Sequence, residues 1–234
     1  MKQTPPLIRR GFAFPIYTES VGSGQSEREI MPVAILESPF PAPPPSPPRK
    51  VWTRSECERL RDVGVLNYDD LELIEGELID TVGKGHLHSF ALLLLRDWLA
   101  GVFGLSFVWQ EIPVDVAPAD NSINEPEPDL AVTSRPFTEY TGKPSASDLR
   151  LVVEIAHTSL AFDRTVKARL YARAEIAEYW IVDVAGRQIL VHRDPREGLY
   201  RSIAAYREDE TIASLAAPDS ALAVRQALPP AVKG

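Results

Sequence analysis

Eight consecutive residues, Leu149-Arg150-Leu151-Val152-Val153-Glu154-Ile155-Ala156, constrain this chain more than any other segment. A run this apolar, with a Pro-, Ser- and Gly-rich loop before it and Thr158-Ser159 after it, reads as a strand buried in the middle of a sheet. Glu154 sits inside it, with apolar neighbours from Leu151 to Ala156. An isolated ionised carboxylate in such surroundings is costly, so it must pair, bind a cation or take up a proton. Alternation puts Val152, Glu154 and Ala156 on one face. On pattern alone, a strand whose Glu154 face is wet stands as the alternative.

The segments around this run give a mixed order of elements. Thr53-Arg54-Ser55-Glu56 has the form of a capping box and Gly64 that of a stop, which predicts a helix over 54–63. LELIEGELIDTV predicts a β-hairpin turning at Glu75-Gly76. Leu92, Leu95, Leu99 and Phe103 recur at helical spacing and predict an amphipathic helix from His86 to Phe103. Phe107 to Val116 alternates like a strand, and Pro113 assigns it to an edge or a bulge. PDLAVTS is a short strand. After the Glu154 strand, Thr158 or Ser159 caps a helix from about Ala161 to Ala174. EYWIVDV and QILVHRD are two strands around Gly186-Arg187, followed by a strand near Gly198 to Tyr206 and a short C-terminal segment. The order α-β-β-α-β-β-β-α-β-β predicts an α/β domain with a mixed β-sheet flanked by helices.

About half of the 21 prolines fall in residues 1–50, which end in FPAPPPSPPRK. Proline fixes φ and lacks a backbone donor, so this Pro-rich extension is expected to be extended and disordered, apart from a domain over 51–234. A plain linker is favoured there over a PxxP partner site. The 234 residues hold a single cysteine, Cys57, which fits a reducing compartment. No run approaches the roughly 20 apolar residues of a membrane span, and MKQTPPLIRRGF has no apolar signal segment. The expected location is cytoplasmic, with no membrane association. The net charge is −8; six Lys and Arg against four Glu leave residues 1–50 at +2 and the rest at −10. That balance opposes a protein that holds nucleic acid by bulk charge. It leaves room for an enzyme that meets a phosphodiester through bound divalent cations.

Four further residues bear on chemistry. Asp129 follows Pro128 at the start of an apolar strand, where a turn role is common. If its strand neighbours that of Glu154, both carboxylates reach one end of the sheet and suit Mg²⁺, which takes oxygen ligands. Lys167 lies beside the Phe162, Val166 and Leu170 stripe of the following helix, so its head could reach the strand end. The competing reading is a wet surface pair between Asp163 and Lys167. Glu75, in a hairpin that also carries Glu72, Glu77 and Asp80, is either a further ligand or a turn residue. His88, early in an amphipathic helix, is more often structural than catalytic. No CxxC, HExxH, Walker loop, GxSxG or dinucleotide fingerprint is present.

LELIEGELID, His88, Glu127-Pro128-Asp129-Leu130-Ala131-Val132 and LVVEIAHTSLAFDRTVKARLYARAEIAEYWIVD together resemble the Uma-type family of putative restriction endonucleases, part of the PD-(D/E)XK nuclease superfamily. The resemblance is strongest over 55–205 and most specific in Glu154, Thr158, Ser159, Asp163, Arg164, Lys167, Tyr171 and Glu178 to Asp183. It implies a restriction-endonuclease-like fold and a metal-dependent endonuclease that hydrolyses phosphodiester bonds, with DNA as substrate. The Pro-Asp half is Pro128-Asp129. Ala156 stands where the superfamily usually has Lys, so the resemblance gives that role to Lys167. His157 replaces a common Ser, and Ala174-Glu175 a common Gly. The implied catalytic set is Asp129, Glu154, Lys167 and Glu75. Asp129, Glu154, the Ile155 carbonyl and Glu75 would hold Mg²⁺ or Mn²⁺. A homodimer would suit double-strand cleavage.

Two rival readings go with the −10 balance: a nuclease-fold binding module without turnover, and a hydrolase of small phosphate esters. For the extension, removal of residues 1–50 is expected to leave the Tm of the domain nearly unchanged, because a Pro-rich coil buries little apolar surface. A large drop on thermal unfolding of the truncated chain would show that the segment packs on the domain.

Overall fold

In a computed structural model, residues 48–67, 71–80 and 85–230 are described. The expectation of a disordered extension falls on residues 1–47, outside the described residues. The chain from Pro48 onward forms one compact unit.

The elements run α1 (Arg54–Asp62), β1 (Leu71–Ile74), β2 (Glu77–Asp80), α2 (His86–Phe103), β3 (Val108–Gln110), β4 (Leu130–Thr133), β5 (Leu149–Ala156), α3 (Leu160–Phe162), α4 (Ala168–Arg173), β6 (Glu178–Asp183), β7 (Gln188–Arg196), β8 (Leu199–Arg207), β9 (Thr211–Ala213) and β10 (Ala221–Ala223). A π-helical turn, Asp163–Lys167, joins α3 to α4. Six strands form one mixed sheet in the order β3-β4-β5-β6-β7-β8. β5 lies inside it, antiparallel to β4 and parallel to β6, with the α3–α4 helix as the crossover. The strand bearing Glu154 is therefore central, as its apolar run requires.

Each face of the sheet has its own core. Leu151, Val153 and Ile155 point to the side covered by α2, with Leu92, Leu95 and Leu99. Val152 and Ala156 point to the other side, with Ala168, Leu170 and Tyr171 of α4. Glu154 shares the parity of this second group and is 4% exposed. The wet-face alternative is thus ruled out: the crossover helix covers that face.

Local signals explain most boundaries. The Thr53 side chain accepts from the Glu56 N–H while the Glu56 carboxylate accepts from the Thr53 N–H, completing the capping box of α1. β3 is shorter than the expected 107–116 strand. It stops at Gln110 because Glu111 turns to φ +50 and Pro113 follows. It is an edge strand, the position that Pro113 implies.

The β1–β2 hairpin turns through Glu75 at φ +50 and Gly76 at φ +76, the two-residue geometry in which glycine is favoured at the second position. Its first strand is tied to the main body by the Glu125 N–H, which donates to the Leu73 carbonyl at 2.6 Å. A Cβ on Gly76 would lie 2.3 Å from the Val51 side chain, on a backbone that L-residues rarely adopt. Gly76→Ala is therefore expected to cost at least about 1 kcal/mol. Chemical denaturation checks this, and an unchanged midpoint would show that the hairpin adds nothing to stability.

Candidate active site

β5, β4, α2, the hairpin and the π turn converge on a pocket of about 130 Å³, with Glu72, His88, Asp129, Glu154, Asp163 and Lys167 among its lining residues. The register of β4 against β5 sets Leu130 opposite Val153, which carries Asp129, one residue earlier, alongside the Glu154–Ile155 step. The Ile155 N–H donates to Asp129 Oδ2 at 2.7 Å. The two carboxylates expected to share a site thus do line one pocket.

Lys167 is 5% exposed and sits between two acids. Its Nζ is 2.9 Å from Glu72 Oε2 and 2.9 Å from Glu154 Oε1. Tyr171, one turn further along the helix, donates its hydroxyl to the same Glu154 Oε1 at 2.8 Å. The surface pair of Asp163 and Lys167 does not form. Asp163 is itself 2% exposed and accepts from the Ser159 hydroxyl at 2.6 Å. The π turn brings both Asp163 and Lys167 to the inner face, and such insertions are frequent at functional sites.

Glu75 is not brought to this pocket. It occupies the hairpin turn, where it pairs with Arg173 Nη2 at 3.2 Å on the surface. The acid that the hairpin contributes is Glu72, and strand parity distinguishes the two. Glu72 and Ile74 share one face of β1, and Ile74 belongs to the core beneath it. Glu75 has already left the strand for the turn.

His88 is more than a buried spacer. Its Nδ1 is 2.9 Å from the Ile155 carbonyl oxygen and its Nε2 is 3.2 Å from Asp129 Oδ1. A histidine between a backbone carbonyl and a carboxylate has its ring fixed at both nitrogens. Ligand atoms of His88, Glu111 and Asp129 lie within 4.8 Å of one another. Glu111 was not singled out from the sequence. Its positive φ, in line with its place after the last residue of β3, has no sequence signal in a glutamate.

The electrostatics follow from burial. Desolvation drives the Glu154 carboxyl well above the usual range; Lys167 opposes this, while Asp129, Glu72 and Asp163 add to it. Burial works against the charge of Lys167, yet the carboxylates of Glu154, Glu72 and Asp163 hold its ammonium well above its ordinary pKa. Burial also acts to raise Asp129, but the His88 hydrogen bond and charge and the Ile155 N–H outweigh it, and the group lies below its usual value. Four carboxylates thus surround one lysine, a donor set with a surplus of negative charge that fits a cation.

A family model described as "Uma2: Putative restriction endonuclease" matches residues 58–225. The chain belongs to this family. Comparison with curated proteins gives no match. Among solved structures, the fold is similar to that of a "putative nuclease belonging to DUF820" from Anabaena variabilis, at 14% identity and a TM-score of 0.51, over 67% of this chain and 88% of that one. That likeness identifies the fold as nuclease-like. Among the described residues, no helix is long and apolar enough to cross a membrane.

The Asp163 carboxyl gives a stability test. Burial raises its pKa from 3.8 to about 6, against the pull of Lys167 and Ser159. A carboxyl raised on folding stabilises the fold fully below pH 4, and that contribution is lost as pH rises through 6. Relative to Asp163→Asn, the wild type should therefore lose stability between pH 4.5 and 7, by an amount on the order of 3 kcal/mol at most. Paired denaturation curves across that range measure it. A pH-independent difference would mean that Asp163 stays ionised.

Proposed function

We propose that this protein is a Mg²⁺- or Mn²⁺-dependent endonuclease that hydrolyses phosphodiester bonds in DNA, in the cytoplasm. The observation that carries the reading is the buried Glu72–Lys167–Glu154 bridge beside Asp129. A fully buried lysine among four carboxylates is an expensive arrangement for a fold to hold without use.

In this reading Asp129, Glu154 and the Ile155 carbonyl hold the cation, with Glu72 in the place expected for Glu75. Glu111 brings a further carboxylate close to Asp129, and His88, engaged at one nitrogen by Asp129 and at the other by the Ile155 carbonyl, positions that acid. The bound ion supplies a water of lowered pKa and polarises the phosphoryl oxygens. The residues of the chain do the rest. Ile155 N–H and His88 fix both oxygens of Asp129. Tyr171 and Lys167 fix Glu154 Oε1. Lys167 faces the phosphate with a charge that its carboxylate partners keep protonated, and it offsets negative charge as the phosphorus becomes five-coordinate.

Plasmid cleavage at saturating Mn²⁺ tests the proposal. Lys167→Met is expected to lower the rate by about 10²–10³-fold, and Glu75→Gln to leave it unchanged. Glu154→Gln should lose both cleavage and the metal-dependent rise in Tm. No cleavage and no thermal shift by either ion in the wild type would overturn the reading.

A further inference from the structure

The helix that carries Lys167 inward has a second working face. Arg164, Thr165, Ala168 and Arg169 face β7 and β8 across a cavity of about 190 Å³, closed on the strand side by His192, Leu199, Tyr200 and Ile203. No carboxylate lines it, in a chain whose net charge is −8. Both guanidinium groups are on exposed residues, and neither is in an ion pair among the described residues. His192 is 2% exposed and closes the back of the cavity; burial and the nearby Arg164 hold its pKa below the ordinary value, against the pull of the Leu190 and Tyr179 backbone. The ring is held by Tyr179 at 5.3 Å and by Tyr200 at 5.7 Å between centroids. The Tyr200 hydroxyl donates to the Ile176 carbonyl at 2.9 Å.

Two unneutralised guanidiniums at the mouth of the same cavity make it attractive to an anion, and arginine presents paired N–H groups in the geometry of a phosphate. We infer that this cavity is a phosphate subsite, which grips a backbone phosphate of the nucleic acid strand away from the scissile one. The inference rests on the nuclease reading for the identity of the phosphate. Lys167 lines the acidic pocket and Arg164 this cavity, so the phosphate held here is not the one at the acidic pocket. Such a subsite gives an acidic protein a local grip on nucleic acid that its overall charge withholds.

The test is binding of a fluorescent oligonucleotide to the full chain without divalent metal, over a range of salt concentrations. Arg164→Gln/Arg169→Gln should lower the slope of log K against log salt by about 1 for each arginine. Affinity at 0.1 M salt should fall roughly ten- to a hundredfold. Arg164→Lys/Arg169→Lys should keep most of the slope, because the charges remain. Hydrolysis of a small chromogenic phosphodiester, too short to reach the cavity, should be unchanged in both variants. Equal affinity and slope in the Gln variant and the wild type would overturn the subsite and leave the nuclease reading intact. Wild-type protein that binds no oligonucleotide without metal would overturn the subsite, while plasmid cleavage at saturating Mn²⁺ decides the nuclease reading separately. Arginine-dependent stabilisation by inorganic phosphate, without oligonucleotide binding, would assign the cavity to a free anion and overturn the strand-gripping role.

Discussion

One ion bridge holds together the parts from which this site is made. Lys167 Nζ joins Glu72 of the hairpin to Glu154 of the central strand, and it does so from the crossover helix. Three segments distant in sequence meet at one ammonium group. A buried charge with its partners removed is strongly unfavourable, so each member depends on the others. Hairpin, sheet and helix are thereby held in one relative placement, and Asp129 and His88 come into reach of the same space.

The supporting contacts have a common logic. Three acids in the pocket are each fixed by a neutral donor: Ile155 N–H for Asp129, Tyr171 for Glu154, Ser159 for Asp163. None of these donors can neutralise a carboxylate. The negative charge is therefore oriented but left in surplus, and a surplus of fixed oxygen donors in a small pocket is what a divalent ion requires. The opposite holds at the C-terminal side of the sheet. Glu178, fully buried, has one oxygen satisfied by Arg193 and Trp180 and the other by Ser214 and the Leu215 N–H. That carboxylate is saturated and fastens the segment after β9 to the sheet. The Glu178 carboxylate is saturated by its donors, whereas the pocket acids share one lysine.

Much of this was legible in the sequence. The span of α2, the turn of the hairpin at Glu75-Gly76 and the extent of β5 follow from periodicity and turn chemistry, and all three are local. Asp129, Glu154 and Lys167 could be singled out, although local rules gave Asp129 a turn and Lys167 a surface pair. The short β3 was not legible, because the left-handed backbone at Glu111 is imposed from outside the strand. Nor was the π turn, which gives no distinct periodicity over five residues.

The choice of Glu72 over Glu75 sits on the boundary. Alternation along LELI contains the answer, but only once the hairpin is known to lay one face on the sheet. His88 shows the limit more sharply. A histidine one turn into an amphipathic helix has a burial pattern and nothing more, and its partners, Asp129 and the Ile155 carbonyl, come from two other strands. The sequence by itself determined most of the helix and strand segments and set one carboxylate inside an apolar strand, since backbone preference and apolar periodicity act over a few residues; that the crossover helix buries this carboxylate was decided by the tertiary structure. Tertiary structure alone decided which charges share the pocket, because a Coulomb interaction depends on distance in space, and chain separation carries no record of it.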